Sequence, residues 1–145
     1  MNKLLIYWIV GISLLGSLEV AHAEQPFVRV SATPGKLDLG TVLLLDEELP
    51  EVLKVKVESN CLHGSIVASV TPFKNSYGRT ILPERISIQT PTTGDFIPMI
   101  KPVVISEPAI GNHDVVVKFK VQLDFNDTAG KYSGTIIFTV MPPPY

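Results

Sequence analysis

Hydrophobic and polar residues alternate with a period of two along much of the chain, and no stretch carries a sustained helical repeat. The longest alternation runs from Val115 to Phe125. Val115, Val117, Phe119, Val121, Leu123 and Phe125 point one way, and Lys118, Lys120, Gln122 and Asp124 point the other. One face is core and the other is wet. Leu53, Val55 and Val57 against Lys54, Lys56 and Glu58 repeat the pattern, which places that run in an antiparallel sheet. A further strand is predicted over Tyr132 to Met141, with Ile136, Phe138 and Val140 on one face, Ser133, Thr135 and Thr139 on the other, and Ile137 breaking the pattern mildly.

Shorter runs rich in Val, Ile and Thr are predicted as strands at Phe27 to Ser31, Lys36 to Leu39, Ser65 to Thr71 and Arg85 to Gln89. The apolar stretch from Ile97 to Ile105 contains Pro98 and Pro102, which points to an edge strand or an irregular crossing. Turn chemistry separates these runs at Thr33-Pro34-Gly35, Asn75-Ser76-Tyr77-Gly78, Pro91-Thr92-Thr93-Gly94-Asp95, Gly111-Asn112 and Asn126-Asp127-Thr128-Ala129-Gly130. Asp46-Glu47-Glu48 with Glu51 reads as a solvated loop. About seven or eight half-buried strands pack most simply as two antiparallel sheets face to face, an all-β immunoglobulin-like sandwich, with a closed barrel as the competing arrangement.

The first 23 residues do not belong to this pattern. Lys3, an apolar run from Leu4 to Leu18, and Ala21-His22-Ala23 form the three parts of a cleavable secretory signal peptide. A membrane anchor is the competing reading, but the run falls short of the roughly 20 apolar residues a spanning helix needs, and Glu19 closes it. The expected organisation is a signal peptide over 1–23 and one domain over 24–145, exported to the periplasm, cell surface or exterior. No second run approaches membrane-spanning length, so no membrane contact is expected after cleavage.

The chain has a formal net charge of −2, which cleavage leaves unchanged because Lys3 and Glu19 cancel, and nothing in it favours nucleic acid. Cys61 is the one cysteine, so neither an internal disulfide nor a lipid-modified cysteine at the cleavage site is expected.

Two segments carry a family resemblance: Leu37-Asp38-Leu39-Gly40-Thr41-Val42 and Ala129-Gly130-Lys131-Tyr132-Ser133-Gly134-Thr135-Ile136. Together they resemble the exported immunoglobulin-like domains of bacterial surface proteins and pilins, whose chains often open with an "LDLG" or "LDFG" segment and end on "AG-x-Y-x-G-x-(I/V/L)". The resemblance implies a sandwich that works by contact. In the second motif Gly130 is expected to take the positive φ of a tight turn, with the Tyr132 hydroxyl near the turn backbone as in a tyrosine corner. Gly134 stands where the antibody version has a cysteine, so no disulfide is implied. The WxL cell-wall domains end on similar strands, but the only tryptophan, Trp8, lies in the signal.

Catalytic chemistry is sparse. His63 and His113 are the histidines outside the signal, and no nucleophile elbow, zinc-protease helix or phosphate loop is present, so no enzymatic activity and no cofactor are expected. His113 and Asp114 point to opposite faces of a strand, which separates them as triad members. Cys61 and His63 share a side of an extended segment, where His113 would complete a soft metal site; the competing reading has a buried Cys61 and two exposed loop histidines, and no metal is assigned. Asp124, Asn126 and Asp127 read as turn formers before calcium ligands. Phe73, Tyr77 and Phe96 are the loop aromatics available as a sugar-binding platform, their competing role being to cap the core.

The expected function is therefore a non-enzymatic structural or adhesive module, pilin-like or of the surface or periplasm, that meets protein partners, copies of itself included, through strand edges or loops. The alternative is a small carbohydrate-binding sandwich with a glycan ligand. Phe27 to Ser31 is expected either to be the first strand of its own sheet or to add to the open edge of a neighbour's.

Overall fold

The computed structural model describes residues 24–33, 47–124 and 126–145. The predicted signal peptide over 1–23, the predicted strand over Lys36 to Leu39, the segment Leu37 to Val42, Asp46 and Phe125 lie outside the described residues.

Among the described residues the chain is all-β, with antiparallel sheets and one 3₁₀ turn, Pro83–Arg85. The strands are β1 (Val28–Thr33), β2 (Glu47–Ser59), β3 (Ile66–Val70), β4 (Phe73–Lys74), β5 (Thr80–Ile81), β6 (Ile86–Gln89), β7 (Ile97–Pro98), β8 (Val103–Ser106), β9 (His113–Val121) and β10 (Ile136–Val140). A five-stranded sheet has the order β1-β2-β9-β6-β7, a three-stranded sheet the order β10-β3-β8, and β4-β5 form a hairpin. Among the described residues no helix is long and apolar enough to cross a membrane.

Alternation decides which side of each strand is buried. In β2 Leu53, Val55 and Val57 point inward, and in β9 Val115, Val117, Phe119 and Val121 do, while the lysines between them face water. These side chains, Ile86 and Ile88 of β6, and Ile66, Ala68, Val103 and Ile105 of the smaller sheet belong to one cluster, so the apolar faces of both sheets close on a single core. The chain crosses between the sheets from β2 to β3, comes back to β6 by way of the β4–β5 hairpin, and crosses again from β7 to β8, from β8 to β9 and from β9 to β10. Among the described residues β1 flanks β2 and ends the larger sheet, and β10 flanks β3 and ends the smaller one.

Several expectations change. Glu47, Glu48 and Glu51 lie within β2 and not in a loop. Pro50 falls where the β2–β9 register shifts between Glu48 and Val52, a break that tolerates a residue without an N–H. The stretch from Ile97 to Ile105 divides between sheets: β7 pairs with β6 and β8 with β3. Met99, buried between them, donates its N–H to the Ile86 carbonyl at 2.8 Å. Tyr132 and Ser133 precede β10, Ser133 bridging to Lys74. Of the two expectations for Phe27 to Ser31, the structure shows a strand of its own sheet: β1 begins at Val28 and pairs in antiparallel register with β2, from Val28–Ser59 to Thr33–Lys54.

Candidate functional site

The crossover between β2 and β3 gathers the side chains with the most chemistry. Leu53, Val55, Val57 and Ser59 of β2 point inward, and that parity continues past Ser59 to His63, which is 1% exposed. His113 opens β9 with the same inward parity and stacks on His63, ring centroids 5.7 Å apart and planes inclined by 15°. The expectation of two exposed loop histidines is thus corrected for His63, and extending the β2 alternation by two more inward positions, four residues past Ser59, would have found it. His63 Nδ1 lies 2.7 Å from the Gly64 carbonyl and donates to it, which leaves Nε2 buried without a hydrogen-bond partner.

His113 Nε2 is 2.9 Å from Ser106 Oγ, and its Nδ1 is 3.4 Å from the Gly111 carbonyl. A serine against an imidazole has the atoms of a nucleophile and its base, but an orienting acid is absent from the pair. Asp114 points to the other face and holds Lys54 at 2.7 Å, as alternation requires. Ser106 is buried and also reaches the Glu107 carbonyl at 3.2 Å. The group ties the β8–β9 return to the crossover. Ser59 reinforces it: its N–H donates to Asn112 Oδ1 at 3.1 Å and its hydroxyl to the Gly111 carbonyl at 3.2 Å. Gly111 has φ 88°, a left-handed conformation that suits glycine.

Cys61 is half-buried, with Sγ 3.5 Å from the Phe27 carbonyl. Among the described residues no three His, Cys, Asp or Glu side chains come together to hold a metal ion, so Cys61, His63 and His113 do not converge on one.

The motif before β10 forms a corner. Tyr132 is buried and its hydroxyl donates to the Thr128 carbonyl at 2.9 Å, the contact the sequence motif implies. Gly130 takes the expected positive φ, 159°. The turn is held by Asp127, whose carboxylate accepts two hydrogen bonds from the Arg85 guanidinium and one from the Asp124 N–H at 2.6 Å. Arg85 pulls the Asp127 pKa below the usual carboxylate range, against a smaller opposing effect of burial. Asp127 is therefore an ion-pair partner and turn former.

The three loop aromatics do not act alike. Phe73 is 8% exposed in β4 and its ring packs on Gly134, so it caps the core and offers no platform; this corrects its place in the candidate ligand site. Tyr77 is 78% exposed in the β4–β5 turn, where Asn75 Oδ1 accepts from the N–H of Tyr77 and of Arg79. Phe96 is half-buried under Lys120, whose Nζ stands 5.9 Å from the ring centroid.

The sheet margins are the remaining candidate. Val28, Val30 and Ala32 of β1 and Ile136, Phe138 and Val140 of β10 pack against the core yet stay partly exposed. No family model, no characterised protein and no solved structure matches this chain.

Proposed function

We propose that this chain is an exported, non-enzymatic interaction module with an immunoglobulin-like sandwich architecture, structural or adhesive in role, that meets protein partners through its strand edges and loops. The observation that carries the reading is that β1 and β10 each end a sheet among the described residues, and each carries a line of half-covered apolar side chains. An edge strand presents unpaired backbone groups to an added strand, and alternate side-chain positions supply selectivity. Because β1 already pairs with β2, its edge works by accepting a strand and not by giving one away.

The test is association of residues 24–145 measured by light scattering over a concentration series. Ile137→Lys with Thr139→Lys places charge on the outward face of β10 without touching its inward side chains, and is expected to abolish edge-mediated association. Association that survives this pair refutes the edge reading. Deleting 24–32 is expected to lower stability, since it removes most of a paired strand. Export is tested by N-terminal sequencing of the secreted product, which is expected to begin at Glu24.

A further inference from the structure

The sequence Asp124-Phe125-Asn126-Asp127-Thr128 follows β9 and precedes the Tyr132 corner. The chain contains five asparagines, and Asn126 alone is followed two residues later by serine or threonine, with no proline between. Such a triplet is the acceptor sequence of asparagine-linked glycosylation. Asp124 adds a carboxylate two residues before the asparagine, and the bacterial enzymes of this class read that acid together with the hydroxyl two residues after it.

The fold uses the other described asparagines and leaves this one out. Asn60 Oδ1 accepts from the Phe27 N–H at 2.8 Å, Asn75 Oδ1 from the N–H groups of Tyr77 and Arg79 at 3.0 and 2.9 Å, and Asn112 Oδ1 from the Ser59 N–H at 3.1 Å. Each fixes a turn or a crossing, the usual work of asparagine outside regular structure. Asn126 is held by its backbone: its N–H points to Asp124 Oδ1 at 3.4 Å, and no described residue bonds its side-chain amide.

The neighbouring side chains divide in the same way. Asp124, Asn126 and Thr128 are exposed. Asp127, between the last two, has a side chain 13% exposed and turned to the Arg85 guanidinium. Its N–H donates to the Asp124 carbonyl at 2.9 Å and its carboxylate accepts from the Asp124 N–H at 2.6 Å, which closes a turn around Asn126. The Thr128 carbonyl accepts from the Tyr132 hydroxyl at 2.9 Å, while the Thr128 hydroxyl bonds no described residue. The position that a transferase leaves unread is thus the one that fixes the turn, and the three positions that it reads are exposed.

We propose that Asn126, flanked by Asp124 and Thr128 as recognition groups, is the acceptor in the folded domain for an oligosaccharide carried on a polyprenyl pyrophosphate and transferred by an oligosaccharyltransferase. In the transfer a bond forms between Asn126 Nδ2 and the anomeric carbon of the sugar, and the bond from that carbon to the pyrophosphate oxygen breaks. The electron pair leaves with the polyprenyl pyrophosphate, one Nδ2 proton passes to a base of the enzyme, and nothing is oxidised or reduced. An amide nitrogen is a poor nucleophile because its lone pair is delocalised into the carbonyl, so activation falls to the enzyme. The domain's part is to hold the amide out, with a carboxylate on one side and a hydroxyl on the other. An asparagine bonded as Asn75 is would first have to give up its hydrogen bonds. The inference rests on the export part of the proposed function, since the transfer takes place outside the cytoplasm, and goes beyond it by assigning a covalent modification site.

The experiment takes the purified, folded full chain, a purified bacterial oligosaccharyltransferase and its lipid-linked oligosaccharide, and reads intact and peptide masses. Wild type is expected to gain the mass of a single glycan, on the peptide that contains Asn126. Asn126→Gln, Thr128→Val and Asp124→Asn are expected to lose the modification, and Thr128→Ser and Asp124→Glu to keep it. Circular dichroism establishes folding, and Thr128→Ala or Asp124→Ala replaces a variant that fails to fold. A wild type that gains no mass, a glycan on another residue, or an Asp124→Asn variant modified as fully as wild type overturns the proposal. In the cells that make the protein, a product that begins at Glu24 with Asn126 unmodified overturns it as well. The purified reaction needs no export, so the two readings fail separately: an unmodified wild type whose cellular product begins at Glu24 leaves export standing, and transfer in the purified reaction to a chain that keeps residues 1–23 in the cell overturns export and leaves the acceptor site.

Discussion

The ring of Phe73 occupies the space where a β-carbon at Gly134 would stand: a methyl group built there lies 2.0 Å from Cδ1 and 2.5 Å from Cε1. The glycine that closes the sequence motif before β10 is required by an aromatic side chain of β4, a residue far away in sequence. Gly134→Ala is therefore expected to destabilise the domain by about 1 to 3 kcal/mol, as overpacking does, measured by urea unfolding. Phe73→Leu in the same chain is expected to recover part of that loss, and a purely additive double variant would contradict the contact.

Tyr132→Phe removes the hydroxyl that donates to Thr128 and leaves the ring in place. A loss of about 1 kcal/mol is expected, the usual worth of a hydrogen bond of this kind. An unchanged urea midpoint would show that the hydroxyl contributes nothing to the corner.

Asp127 ties stability to pH. Its folded pKa is held down first by the hydrogen bonds from Arg85, so the unfolded chain takes up this proton at higher pH than the folded one. The contribution is complete above the ordinary aspartate value and is lost as pH falls through the folded value. Asp127→Asn is expected to be less stable than wild type at neutral pH, and the gap to close on acidification below about pH 4. Unfolding midpoints between pH 7 and pH 2 for both proteins measure it; a gap that stays constant would assign the effect to packing.

Gly64 faces backbone and not a side chain. A β-carbon there would lie 2.0 Å from the Pro142 carbonyl oxygen and 2.6 Å from that of Met141. Rotamer changes cannot relieve such a clash, so Gly64→Ala is expected to exceed the typical substitution cost of about 1 kcal/mol and to displace residues 141–145. Amide exchange at Met141, whose N–H donates to the Ser65 carbonyl at 2.9 Å, reads the displacement directly.

Tyr77→Ala should leave stability within about 0.5 kcal/mol, because the ring is exposed. Glycan-array binding that disappears in this variant would restore the carbohydrate reading without Phe73.

The inner face of the larger sheet is legible in the alternation of β2 and β9 alone, because period two survives wherever one face is buried and the other wet. The Tyr132 contact is legible for a different reason: a local motif encodes a local hydrogen bond. Strands β4 and β5 are too short for periodicity to mark, so the burial of Phe73 and Ile81 leaves no trace in the pattern. The stretch from Ile97 to Ile105 hides a change of sheet, since buried Met99 keeps it apolar across the crossing. The crossover between β2 and β3 is the least legible part. Phe27, Ala109 and Met141 are separated in sequence and are each held by a backbone bond from Asn60, His63 or Gly64.

That convergence also sets how the domain answers a mechanical load. β1 begins beside the β2–β3 crossover with the pair Val28–Ser59, and β10 ends beside it with the pair Val140–Ile66. Tension drawn outward through Phe27 and Met141 reaches each ladder at that terminal pair and opens it rung by rung. Shear, in which all rungs resist together, would need the load at opposite ends of paired strands. A domain pulled this way yields by unzipping its two edge strands at low force and lengthens, so a series of such domains would act as a compliant tether instead of a stiff rod.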